Sequence, residues 1–423
     1  MPVWSAVHPF AHGRRPRGRL IHLGAYLSTL LGVCLPSALG VAMLFRIAVL
    51  WGASQAAAAA LAVSYAFGTQ ALPYATLFYS HQLVAGLLLL ALAIVVEGRE
   101  GPAAVTPRRL FVVGLLLGYA VASEYPAALA AAVIVGYAAW VVQSWRRLAW
   151  IAAGGAIPIL GLAAYHAAAW GDPFITGYTF TIIPGRDTGG LLPGVTLPHL
   201  TLLPKLLFSL ERGIIRFSPW LALALPGAVR MVRSRSLRAE GLLCLAVIAL
   251  FLALNCAQTM TPDDWRGGAG LGPRYLVPSL PFYALAMVGL VVPGWSGWTA
   301  HRLVRGLAVA AFAALVVLSA GRMFLATAVQ PEVSRVDDPF ADFLLPLWKA
   351  DQVAVNTAAF YVGGNKEPKF AWNLGERMGL SGRASLLPLG LFVLAAGAWL
   401  VTLVARAPIT RGSRTNPGTA GLR

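Results

Sequence analysis

The chain has 423 residues, of which 58% are hydrophobic and only 12% charged. Soluble domains carry roughly 25% charged residues, so a soluble globular chain is excluded and most side chains must face lipid or other helices. A formal charge of +17 would point to nucleic acid in a soluble protein. No basic stripe with interleaved aromatics occurs, however. The arginines flank apolar runs instead, as cytoplasmic helix ends do, and nucleic acid is not an expected partner.

A hydrocarbon core about 30 Å thick needs about 20 apolar residues of helix to cross it, and within it each segment must satisfy its own backbone. The runs predict an all-α polytopic membrane protein of about 11 crossings. Residues 1–22 form a basic N-terminal segment with Arg14, Arg15, Arg17 and Arg19. Crossings follow over about 23–46, 54–72, 80–96, 109–123, 125–143, 149–168, 214–230, 240–257, 274–293 and 304–325. A tight turn is expected at Ser123-Glu124-Tyr125-Pro126, because proline disfavours helix in the residue before it and a carboxylate leaves hydrocarbon. The transmembrane domain thus covers 23–325, with outer loops at about 169–213 and 258–273. An extracytoplasmic loop or small subdomain over 326–384, a last crossing at 385–405 and a basic cytoplasmic tail at 406–423 complete the plan.

Arginine pairs fix the orientation. Arg99 with Arg108 and Arg109, Arg146 with Arg147, the group Arg230–Arg238, Arg302 with Arg305, and Arg406 onward all fall on one face. That face is the cytoplasm. The opposite face carries the long acidic connections. By the same parity the N-terminus lies outside, which strands the arginines at 14–19 on the wrong side. A missing segment before residue 23 is the expected reason.

Four groups on the outer side carry candidate chemistry. Trp265-Arg266-Gly267-Gly268 runs on to Gly272-Pro273-Arg274-Tyr275, and an arginine opening a helix behind a Gly-rich loop suits a phosphate. The alternative is an arginine snorkelling to headgroups with Tyr275 in the aromatic belt. Trp170-Gly171-Asp172-Pro173-Phe174 with Tyr178 offers a base and flat faces for a sugar ring, or simply a capped turn. Lys205, Glu211, Arg212 and Arg216 could hold a phosphate or anchor a surface helix to anionic lipid. Glu124 with Tyr79 and His81 places a carboxylate at the boundary, as a base or as a structural clamp. Cys34, Cys244 and Cys256 lack metal or disulfide spacing, so no metal and no cofactor is expected.

Taken in order, several stretches resemble the bacterial GT-C glycosyltransferases, multi-pass enzymes related to the protein O-mannosyltransferase and lipid A aminoarabinose transferase families. The pieces are Phe67-Gly68-Thr69, Pro73-Tyr74-Ala75, Tyr79-Ser80-His81, Ser123-Glu124-Tyr125-Pro126, Gly171-Asp172-Pro173, Thr176-Gly177-Tyr178, Arg212-Gly213, Ser218-Pro219 and Gly272-Pro273-Arg274-Tyr275. They span roughly residues 25–295. The resemblance implies transfer of a sugar from a polyprenyl-phosphate donor to a protein, lipid or polysaccharide acceptor at the outer face of a bacterial cytoplasmic (inner) membrane. It implies Arg274, Arg212 and Lys205 on the lipid phosphate, and His81, Tyr178, Trp265 and Tyr275 on donor or acceptor. The family's first helix and first outer loop, with its acidic residue, have no counterpart here. A start codon placed too far downstream would explain that gap and the stranded arginines together. With Met1 as the native start, the base must come from Glu124, Asp172 or Asp264. The competing readings are a lipid-sugar transporter or flippase, and a non-catalytic membrane protein that keeps the fold.

Overall fold

A computed structural model describes residues 18–101, 105–177, 197–257, 265, 270–292, 302–333, 336–355 and 371–406. Among these residues there is no β-strand, and six helices are long and apolar enough to cross a membrane. We number the long helices α1 Leu23–Leu50, α2 Gln55–Gly68, α3 Ser80–Glu97, α4 Pro107–Ser123, α5 Ala127–Val142, α6 Trp145–Trp170, α7 Ala224–Arg233, α8 Arg238–Ala257, α9 Arg274–Val291, α10 Arg302–Val329 and α11 Leu387–Arg406. The chain is an all-α, multi-pass membrane protein. The expected turn between α4 and α5 is present: Glu124 leaves the helix with φ −158° and ψ 111°, and α5 starts after Pro126.

The expected crossing at 214–230 is not one helix. It breaks into a short helix Ile214–Phe217, a 3-10 stretch Pro219–Leu223, and α7. Pro219 has no N–H to give and pushes Ser218 out of the helical region, to φ −133° and ψ 73°. α9 also begins as a 3-10 turn, Arg274–Ser279, with Pro278 inside it and Pro281 just after it.

α3 is the central pillar, apolar on every side and with 78% of its residues buried, whereas only 6% of the most apolar 18-residue stretch of α10 is buried. A helix that is hydrophobic all round belongs in the interior. Glycines set close helix approaches, because small residues let backbones meet in a medium with no hydrophobic drive between helices. Gly40 of α1 crosses Gly86 of α3, while Gly114 and Gly118 of α4 lie on Gly155 of α6 and Gly154 lies on Phe111.

Polar groups gather at the two ends of this bundle. At one end Glu97 pairs with Arg46 at 2.6 Å and with Arg109. Glu240 there takes Arg99 at 2.6 Å and the Tyr137 hydroxyl at 2.7 Å. These residues sit at the close of α1 and α3 and the start of α4 and α8. Ser80 begins the other end. The 18 residues of α3 separate the two by roughly 27 Å at 1.5 Å per residue, close to a hydrocarbon thickness.

The chain divides into two compact units, 1–372 and 373–423. The second opens with a capping box: Asn373 accepts from the Glu376 amide, and the Glu376 carboxylate accepts from the Asn373 amide. It continues through a 3-10 turn, Gly382–Leu386, into α11.

Candidate functional site

Four distant stretches of unit 1 meet at the Ser80 end. Thr69 stops α2 by donating to the Tyr65 carbonyl at 2.6 Å while accepting from Ala71 at 3.1 Å. The short helix Ala71–Ala75 that follows buries Tyr74 completely. Tyr79 caps α3 and His81 lies in its first turn. The α4–α5 turn brings Glu124, whose Oε1 meets His81 Nδ1 at 2.6 Å with both side chains 8% exposed. The start of α9 supplies Arg274 and Tyr275, and the chain just past α10 supplies Glu332. Tyr79 donates its hydroxyl to Glu332 Oε1 at 2.6 Å.

The rings form a wall around the guanidinium. Arg274 stands over Tyr275 at 5.0 Å and over Tyr79 at 6.0 Å, and its Nη2 donates to the Tyr275 hydroxyl at 3.1 Å. The His81 ring meets Tyr275 edge-on at 5.4 Å, and Tyr74 at 6.0 Å. Burial pushes the Tyr74 phenol up, while Arg212 and Arg274 pull it back. Two buried oxygens here, Tyr74 Oη and Glu124 Oε2, accept or donate no hydrogen bond among the described residues. Buried polar atoms in native proteins are mostly paired, so each unpaired one calls for an explanation.

Arg212 has a different place from the one its charge predicts. It is 2% exposed, and its Nη1 donates to the carbonyls of Gly270 at 2.8 Å and Gly272 at 3.1 Å. It therefore ties down the loop that presents Arg274. Gly270 also donates to the Val333 carbonyl at 3.0 Å, which links that loop to the neighbour of Glu332. Gly272 has φ +69°, and a Cβ there would strike Gln70. Replacing Arg212 by alanine leaves two buried carbonyls without a donor, at a cost of about 1–3 kcal/mol. The expected result is a lowered melting temperature, read by thermal shift.

The structure brings together Arg274, Tyr275, His81 and Glu124 from the sequence-derived candidates. Lys205 and Trp265 form a separate pair at 6.0 Å, packed with Leu202, Leu206 and Cys256. Asp172 accepts from the Phe174 amide at 2.7 Å, the capped turn that its Asp-Pro sequence offered as the alternative. Beside it, His166 contacts the Tyr125 hydroxyl at 3.2 Å. Asp264 and Tyr178 lie outside the described residues. No cluster of three or more metal-ligating side chains occurs among the described residues. Sequence reasoning missed Glu332. The available signal was a carboxylate three residues past an apolar run, at the same boundary as Glu124.

No family model and no curated protein matches the chain. Among solved structures it is similar to the apo crystal structure of ArnT from Cupriavidus metallidurans, at 18% identity and a TM-score of 0.40. The match covers 70% of this chain and 60% of that one. The chain thus spans less than two thirds of that protein's length, and a likeness at this level carries no argument about the site.

Proposed function

We propose that the chain is an integral-membrane glycosyltransferase of the GT-C type, moving a sugar from a polyprenyl-phosphate donor to an acceptor on the extracytoplasmic face of a bacterial cytoplasmic membrane. The observation that supports this most is one cluster at a helix-bundle end holding an arginine, three tyrosines and two carboxylates. A guanidinium among aromatic rings is suited to a phosphate monoester or diester. The lipid tail would follow the apolar helices away from it.

In this reading Arg274 holds the donor phosphate, and the buried Tyr74 hydroxyl donates to it as charge grows on the leaving oxygen. The acceptor hydroxyl gives its proton to a carboxylate. Its oxygen then bonds to the anomeric carbon as the bond from that carbon to the phosphate oxygen breaks, releasing the lipid phosphate. Of the two carboxylates, Glu124 is buried and held by His81, whereas Glu332 is half-buried beside Tyr79. Glu332 is therefore the base, and the Glu124–His81 pair fixes the aromatic wall. Tyr275 lines the donor, and the Lys205–Trp265 pair lies at a second edge of the outer surface.

The test is release of free polyprenyl phosphate from a panel of polyprenyl-phosphate sugars by the purified protein in proteoliposomes. Wild type should release it, and Arg274→Ala should lose both release and donor binding. Donor binding with no release under any acceptor fraction, but with sugar crossing a sealed vesicle, would make the chain a transporter instead.

A further inference from the structure

We propose a second lipid site, independent of Arg274, that takes an acidic phospholipid of the surrounding bilayer. It is a cavity of about 330 Å³ between α10 and the broken segment ahead of α7. Its apolar walls are Phe208, Ile215, Pro219, Leu315 and Leu318, and its two charged members are Arg216 and Arg322. Phe208 and Leu318 are 62% and 48% exposed, so the groove opens sideways towards lipid.

Depth makes the arginines informative. α10 ends at Val329, and Arg322 sits seven residues earlier, roughly 10 Å along the axis at 1.5 Å per residue. The 28 residues of α10 reach roughly 42 Å at 1.5 Å per residue, more than the hydrocarbon core, so this level lies at the headgroup boundary, where lipid phosphates are the anions at hand. Arg322 does not snorkel freely: its Nη1 donates to the Arg216 carbonyl, and its Cζ lies 5.8 Å from the Phe340 ring centroid. Arg216 meets Asp338 at 3.7 Å, beyond hydrogen-bond length. Asp338 also uses Oδ1 to cap the Phe340 and Ala341 amides. Two guanidinium groups thus share one carboxylate, and most of their N–H donors bond no described residue.

A phosphate with an acyl chain answers both halves of this site. The phosphate would accept from Arg216 and Arg322, and the chain would descend along Leu315 and Leu318. Phe217 forms the partition from the Arg274 loop: it packs edge-on to Phe340 at 5.1 Å and lies against Gly272. The occupant is a bilayer phospholipid because the groove faces outward along a helix with few buried residues.

The measurement is native mass spectrometry of the full chain exchanged against phosphatidylglycerol and phosphatidylcholine of equal acyl length. Two arginines near the surface imply a preference for phosphatidylglycerol of roughly tenfold or more. Arg216→Gln and the double variant Arg216→Gln/Arg322→Gln should erase it. Because Arg322 also braces Arg216, Leu318→Trp provides a variant that fills the chain path and leaves both charges; it too should lose the bound lipid. Equal retention of the two phospholipids by wild type would overturn the site. Retained preference in Leu318→Trp would overturn the chain path. Displacement of phosphatidylglycerol by an equal concentration of polyprenyl phosphate would overturn the assignment of the occupant.

Discussion

Glu332→Gln is expected to lower turnover by about 10²–10⁴-fold, the range for loss of a positioned general base, while donor affinity stays near that of wild type. Glutamine keeps the size and can still accept from Tyr79, which the glutamate does at 2.6 Å, so the tyrosine wall stays in place and only proton uptake is lost. A purely structural role for Glu332 would move donor binding and melting temperature along with turnover. Asp172→Asn is the matched control. Its carboxylate caps the Phe174 amide, and an asparagine oxygen does the same at a turn, so transfer should continue at close to the normal rate. Full activity in Glu332→Gln alongside loss in Asp172→Asn would return the base to the loop after α6. Radiolabelled donor binding and phosphate release, measured on the same preparations, separate these outcomes.

The contrast between those two acids shows what a linear reading can and cannot reach. Asp172 looked chemical because it stood among Trp170, Phe174 and Tyr178, yet its Asp-Pro neighbour already described a local turn, and local geometry is what short spacing encodes. The helix runs were equally legible: α3, α8 and α10 fall within a few residues of the expected spans, because apolar length answers to a fixed membrane thickness. Glu332 was not legible, since its partner Tyr79 is 253 residues away and only the packing of α3 against neighbouring helices joins them. The carbonyl contacts of Arg212 were hidden for a similar reason. A cation beside a boundary suggests an anion, and nothing in its neighbours reveals that the carbonyls of Gly270 and Gly272, some 60 residues on, will accept its hydrogen bonds. The break at Ser218-Pro219 was visible as residues and overlooked as structure, because hydropathy averages across a proline that the backbone cannot.

Gly154→Leu is expected to do the greatest damage to folding, although it touches no candidate site residue. A Cβ at Gly154 would overlap the Phe111 carbonyl and come within 3.0 Å of the Leu115 amide. Across the same crossing, a Cβ at Gly114 would overlap the Ile151 carbonyl and approach the Gly155 amide to 2.8 Å. The obstructing atoms are backbone and cannot rotate aside, so α4 and α6 must separate. Overpacking typically costs about 1–3 kcal/mol, and a leucine against two helix backbones belongs at or above the top of that range. The displaced element ends in Ser123 and Glu124, which carries the strain to the His81 pair and from there to the ring around Arg274. The expected result is a large loss of monodisperse protein after detergent extraction, with no donor binding in what remains. Gly136→Leu on α5 is the control, because a Cβ there meets nothing within 4 Å, and it should extract and bind donor like wild type. If Gly154→Leu keeps its yield and its melting temperature, the two helices do not cross at these glycines, and the placement of Glu124 beside His81 loses its scaffold.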